Sequence, residues 1–155
     1  MYNDLRSSLY VRGSDDDIPG ESMFAYKYLR SHLLSVAQKD VPLRHALRGI
    51  ADMHVKGIIH AEIKANNILV DWHDRDGEAV VEKVQVTGIE DAAYVPDDCV
   101  IHGRQLGNYI WRSPEAYAAT AVQKLSDIWS FGLVVRLRLA QTHRCKVTSN
   151  QFSYL

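Results

Sequence analysis

The stretch from Pro42 to Val86 most constrains this chain, because a helix-period pattern there gives way at one glycine to a strand-period pattern folded on a tight turn. Leu43, Leu47, Ile50 and Met53 recur every three or four residues behind Pro42, and Gly57 follows Lys56. That spacing predicts a helix with one buried face, opened by proline and stopped by glycine. Ile58-Ile59 and Ile68-Leu69-Val70 are short apolar runs flanking a polar loop, and Val80-Val81 to Val86 makes a second strand across the turn Asp74-Arg75-Asp76-Gly77. A hairpin attached to a helix is expected, in a fold of the α+β class.

Around this unit the signals are weaker. Residues 1 to 22 are polar, carry Asp15, Asp16 and Asp17, and are punctuated by Gly13, Pro19 and Gly20, so they read as a strand-poor lead-in or loop. Residues 23 to 29 are aromatic and partly alternating, which favours a strand, and 30 to 38 read as a short helix. Beyond a loop-rich stretch from 88 to 117, Leu125 to Val135 is apolar almost throughout, with Ser126 or Asp127 placed to cap it. A helix apolar on all sides belongs in a core, here against Leu43, Leu47 and Ile50. Arg136 and Arg138 are expected to break that helix, because buried unpaired charges are costly. The basic tail from 136 to 155 is then expected on the surface or disordered.

Composition narrows the function classes. With 155 residues, 46% hydrophobic and 24% charged, the chain is globular in type and holds one ordinary domain or one incomplete larger domain. A net charge of -1 offers no basic stripe for nucleic acid and no polybasic segment for a membrane surface. No apolar run approaches the ~18 residues of a membrane span, and the first twenty residues lack a signal-peptide core. Cys99 and Cys145 have no Cys-x-x-Cys spacing and read as free thiols in a reducing compartment, cytoplasmic or nuclear.

The densest chemistry lies in the loop His60-Ala61-Glu62-Ile63-Lys64-Ala65-Asn66-Asn67. It carries what phosphoryl transfer needs: a carboxylate to accept a hydroxyl proton, a cation for developing phosphate charge, and a carboxamide oxygen for Mg²⁺. Taken alone it reads more readily as a hydrated polar loop, the commoner case. His60-Ala61-Glu62 matches half of a zinc-deaminase signature, but Pro-Cys-x-x-Cys is absent. The Asp74 turn fails as a calcium loop, since Trp72 and Lys83 stand at its end positions.

The order of four fragments decides between these readings. His60-x-Glu62-x-Lys64-x-x-Asn67 resembles the protein-kinase catalytic loop, and Val84 to Glu90 resembles the strand leading into the Asp-Phe-Gly motif. Gly107-Asn108-Tyr109-Ile110-Trp111-Arg112-Ser113-Pro114-Glu115 resembles the stretch ending in Ala-Pro-Glu, and Ser126 to Gly132 the start of the large lobe's central helix. The chain thus resembles a eukaryotic protein kinase, in wording similar to divergent kinase-like proteins of fungi. The resemblance implies a mainly helical large lobe with short β hairpins at residues 23–135, a small lobe largely missing from the 1–22 lead-in, and a divergent tail at 136–155. A complete domain of this kind takes roughly 250 residues, so the pattern reads as a truncated gene, a splice product or a misread exon.

By resemblance, Glu62, Lys64 and Asn67 are the catalytic residues, and Asn67 is also the metal ligand. Phe24, Tyr26, Tyr28 and Leu69 lie at the adenine, in and below the hinge at 23 to 29. ATP and Mg²⁺ are the implied cofactors, a serine or threonine of a protein the implied acceptor, and a protein substrate or protein partner the implied company. His60 and Asp127 are implied to brace each other's backbone, and Glu115 to pair with an Arg that this chain lacks. Four departures stand out: the Asp-Phe-Gly aspartate is Gly88, with Glu90 and Asp91 the nearest substitutes; the catalytic Asp is Glu62; the motif's Arg is Ala61; and no Ser or Thr occurs between Gly88 and Trp111. Phosphotransfer is therefore expected to be weak or lost. The alternatives are a non-catalytic, pseudokinase-type interaction module and a degenerate product with no independent fold.

Overall fold

The computed structural model describes residues 1–18, 20, 23–36 and 41–147. In chain order the elements are α1 (Tyr2–Leu5), β1 (Asp16–Ile18), β2 (Met23–Ala25), β3 (Ser31–His32), α2 (Leu43–Val55), β4 (Ile58–Ile59), β5 (Ile68–Arg75), β6 (Glu78–Val86), β7 (Ala93–Tyr94), α3 (Pro114–Tyr117) and α4 (Lys124–Val147). Helices and antiparallel strand pairs are mixed, so the expected α+β class holds.

The helix and hairpin form where the periodicity puts them. α2 buries Ala46, Gly49, Ile50 and Met53, and each fully buried side chain of Ile or Met size contributes ~1.5–3 kcal/mol. Leu47, expected in the same contact, is exposed. β5 and β6 pair from Ile68↔Val86 to Arg75↔Glu78, with a register shift at Asp71/Trp72. At the turn Asp74 Oδ1 accepts the Gly77 N–H at 3.0 Å. β3 adds to β5, giving the order β3-β5-β6. The main core gathers Leu33, Val36, Ile50, Ile63, Ile68, Val70, Val84, Val86, Phe131 and Val134. The hairpin, α2 and α4 thus meet beneath the loop at residues 60 to 67.

Several expectations are corrected. Only Met23–Ala25 of the 23 to 29 segment is strand, exposed along its length and paired to β1. The 30 to 38 helix is instead β3 followed by a 3₁₀ turn at Leu33–Val36, with residues 37 and 38 outside the described ones. The lead-in is docked rather than loose: Leu5 and Val11 are buried, Val11 bridges Val86, and Ser8 donates to Asp52 on α2. A Cβ on Gly49 would stand 2.5 Å from the Tyr10 carbonyl oxygen, so α2 accepts this close approach only at a glycine.

The largest correction concerns α4. It runs on through Arg136 and Arg138 to Val147, and Arg138, only 6% exposed, donates from Nη1 to the Val36 carbonyl at 3.1 Å and to Gln141 Oε1 at 3.4 Å. A buried guanidinium is tolerated when its donors are met, which the hydrophobic pattern alone does not reveal. Nor is the helix covered on all sides: Phe131 and Val134 are buried, but Leu125 is 66% and Trp129 48% exposed. Residues 148–155 of the tail lie outside the described residues.

Candidate functional site

The loop at residues 60 to 67 is positioned by one buried carboxylate. Asp127, in the first turns of α4 and almost wholly buried, accepts the His60 N–H on Oδ2 at 2.8 Å and the Ala61 N–H on Oδ1 at 2.9 Å. His54 Nε2, from the last turn of α2, lies 2.8 Å from the same Oδ2. Neither Ser126 nor Asp127 caps α4, which begins earlier, at Lys124; from inside the first turn Ser126 Oγ accepts the Gln123 N–H at 3.3 Å. Asp127 spends its carboxylate on the loop. Ala61 is held at φ 64, a conformation uncommon for a residue with a Cβ that persists where surrounding bonds over-determine it.

His60 is a second internal brace. Its Nε2 is 2.8 Å from the Thr87 carbonyl and its Nδ1 accepts the Glu62 N–H at 3.2 Å, so the proton sits on Nε2. The ring thereby ties the loop to the end of β6, just before Gly88. The implied mutual bracing is seen in one direction only: Asp127 accepts the His60 N–H, whereas the His60 ring bonds the Thr87 carbonyl and the Glu62 N–H.

Glu62, Lys64 and Asn67 are brought together. Glu62 Oε1 is 2.8 Å from Lys64 Nζ, and Asn67 Nδ2 donates to Glu62 Oε2 at 3.1 Å and to the Glu62 carbonyl at 3.0 Å. Partial burial pushes the Glu62 carboxyl up, but Lys64 and Asn67 outweigh it and hold the group below the usual carboxylate range. It is a paired carboxylate, with each oxygen engaged by a partner from its own loop.

Position 88 explains where Asn67 points. Gly88 has φ 75, and a Cβ there would lie 2.5 Å from Asn67 Nδ2 and 2.7 Å from its Cγ. The carboxamide fills the space that a side chain at 88 would need. For a divalent cation the donor set does not fit: Gly88 offers no side chain, Glu62 is occupied by a cation and an amide, and no group of three or more His, Cys, Asp or Glu residues could hold a metal among the described residues. Glu90 and Asp91 sit in the 3₁₀ turn Ile89–Asp91, exposed on its outer side.

On the implied adenine side, Phe24 is exposed on β2 and Tyr28 is 78% exposed. The Tyr26 ring carries the Arg12 guanidinium 4.9 Å from its centroid. Leu69, half-buried, lies opposite His32 in the β3–β5 pair.

Sequence reasoning missed two groups. His54 supports Asp127 from 73 positions away, and only its place in the last turn of a buried helix hinted at it. Glu115, expected to need an Arg, instead accepts from Ser126 Oγ at 2.7 Å. Burial raises its pKa, but that bond, with those from its own backbone and from Ser113, holds it below the ordinary value.

The family model described as the protein kinase domain matches residues 18–153. Among curated proteins the chain is similar to the serine/threonine-protein kinase pakA of Talaromyces marneffei, 29% identical over 103 residues that make up 66% of this chain and 15% of that protein. It is similar also to the serine/threonine-protein kinase STE20 of Candida glabrata, 26% identical over 66% of this chain and 10% of that one. A third similarity is to the mitogen-activated protein kinase kinase kinase MST11 of Pyricularia oryzae, 30% identical over 65% of this chain and 11% of that one. The matched part thus spans 10 to 15% of these relatives. With the Asp127-braced loop, the Glu62-Lys64-Asn67 cluster and a family match running from residue 18 to residue 153, the chain belongs to the protein kinase domain family.

Proposed function

We propose that this chain is the hinge-to-central-helix part of a serine/threonine-type protein kinase domain, with a large-lobe character at 23–135 and a small-lobe remnant at 1–22. Its ATP-dependent phosphotransfer is weak or absent as the chain stands. The observation that carries this reading is the state of the Glu62 carboxylate, bridged at 2.8 Å by Lys64 and at 3.1 Å by Asn67 beside a glycine at 88. A general base must be free to take a proton, and misplacement by ~1 Å costs on the order of 10²-fold. The family's cofactors are ATP and Mg²⁺. In this chain Phe24, Tyr26, Tyr28 and Leu69 are proposed to meet the adenine, while Asn67, implied as the metal ligand, is left a lone carboxamide with no uncommitted carboxylate beside it to complete a Mg²⁺ site.

The test is phosphate transfer from Mg-ATP to generic protein substrates, with Glu62→Ala and Asn67→Ala beside it. No transfer above the level of the variants is expected. Transfer that disappears in both variants overturns the reading of a disabled site. Nucleotide affinity is proposed to be no tighter than high micromolar, because ring burial is partial and polar desolvation has to be offset. A Mg²⁺-dependent thermal shift at low micromolar ATP contradicts that.

A second reading, a non-catalytic interaction module, is favoured by one observation: Leu125, Ile128, Trp129 and Leu139 on α4, with Tyr109 and Ile110 before α3, are exposed. Apolar surface of this kind on one element marks a contact face more often than chance. Its partner would be a protein.

A further inference from the structure

The lead-in and the hairpin enclose a cavity of about 220 Å³ whose walls include Arg6, Arg12, Ser14, Asp15, Lys27 and Lys83 and no residue of the loop at 60 to 67. Four cationic side chains face one carboxylate. Neither Lys27 nor Lys83 has an acidic partner within ion-pair distance among the described residues, in contrast to Lys64 on Glu62 and Lys124 on Asp97.

Two further observations point to an acceptor-only ligand. Ser14 is 8% exposed and its hydroxyl is without a hydrogen-bond partner, and the Arg12 Nε–H is buried without one as well. Buried donors left unmet are rare and costly, and each is relieved by a ligand that accepts. Arg12 is also fixed in place: its Nη2 donates to the Lys27 carbonyl at 2.6 Å while its guanidinium rests on the Tyr26 ring. A pre-positioned guanidinium beside mobile ammonium groups suits a tetrahedral dianion, whose several oxygens can accept from more than one direction at once.

We propose that this cavity binds a phosphate group, either free or carried as a monoester on a small molecule or a side chain. The volume is well beyond one water site and leaves room for what carries the phosphate. The proposal is independent of whether the catalytic loop transfers phosphate.

The experiment is an amide-resolved NMR titration of the full chain with inorganic phosphate and, separately, with O-phosphoserine. Ionic strength is held constant with sodium chloride. Saturable shifts at Gly13, Ser14 and Lys83 are expected with either probe, the tighter one telling which source the site serves. Lys27→Ala/Lys83→Ala, two residues at or near the surface, is expected to weaken binding at least about tenfold with an otherwise native spectrum. Asp15→Asn is expected to tighten it, and Lys124→Ala to leave it unchanged. Shifts that fail to saturate, that chloride reproduces, or that persist with equal affinity in the double variant overturn the proposal.

Discussion

The two ends of the loop at residues 60 to 67 have fared differently. At the His60 end the bracing bonds reach partners far along the chain: Asp127 holds two successive amides, His54 supports Asp127, and the His60 ring reaches the Thr87 carbonyl. At the Asn67 end the polar groups are engaged with each other, and Gly88 beside them offers no side chain. Bracing and reacting therefore need different things. The brace needs buried hydrogen bonds and contributes to folding whether or not chemistry survives, whereas a reacting group must stay uncommitted until substrate arrives. The first end is organised for stability, and the second is where reactivity is proposed.

The sharpest way to break this comparison is Asp127→Ala. It strips acceptors from the buried His60 and Ala61 amides and leaves His54 without its carboxylate, so urea unfolding should show a loss of about 3–5 kcal/mol. A loss below about 1 kcal/mol makes the brace incidental. Arg138→Ala comes next, at about 1–3 kcal/mol, because the Val36 carbonyl loses its donor inside the core. No change on that substitution restores the view that α4 effectively ends near Val135.

At the reactive end, smaller effects are expected. Gly88→Ala should cost about 1–2 kcal/mol, from the left-handed backbone and from the Cβ meeting the Asn67 amide. In an Asn67→Ala background part of that cost should vanish, and a double-mutant cycle reads the coupling. Strict additivity means that Asn67 does not fill the space at 88. The smallest effect is expected for Glu62→Gln, under about 1 kcal/mol at neutral pH, since the pair is partly exposed. Its sign follows from the lowered carboxyl pKa. The Glu62 contribution is present above the ordinary carboxylate value and lost as pH falls through the folded one, so the wild type and the Gln variant should converge in melting temperature under acid. Curves that stay parallel from pH 7 to pH 3 contradict the pairing.

The helix of Leu43 to Met53, the hairpin about Asp74 and the order of the four motifs were legible because each is written within a few neighbouring residues, where periodicity and turn chemistry act locally. Glu62, Lys64 and Asn67 were legible as a cluster for the same reason. What each does was not. Whether Asn67 turns toward a metal position or into the empty space at Gly88, whether Arg138 ends a helix or anchors to Val36, and whether Glu115 waits for an Arg or takes Ser126 depend on atoms brought close by folding. His54 and Asp127 are 73 positions apart, and Arg138 and Val36 are 102 apart. A polar side chain's role is set by the donors and acceptors that surround it once water is removed. Residue type and spacing therefore determined the central helix, the hairpin and the family, while the tertiary structure alone decided which carboxylate braces, which is tied up, and which cations are left facing a cavity.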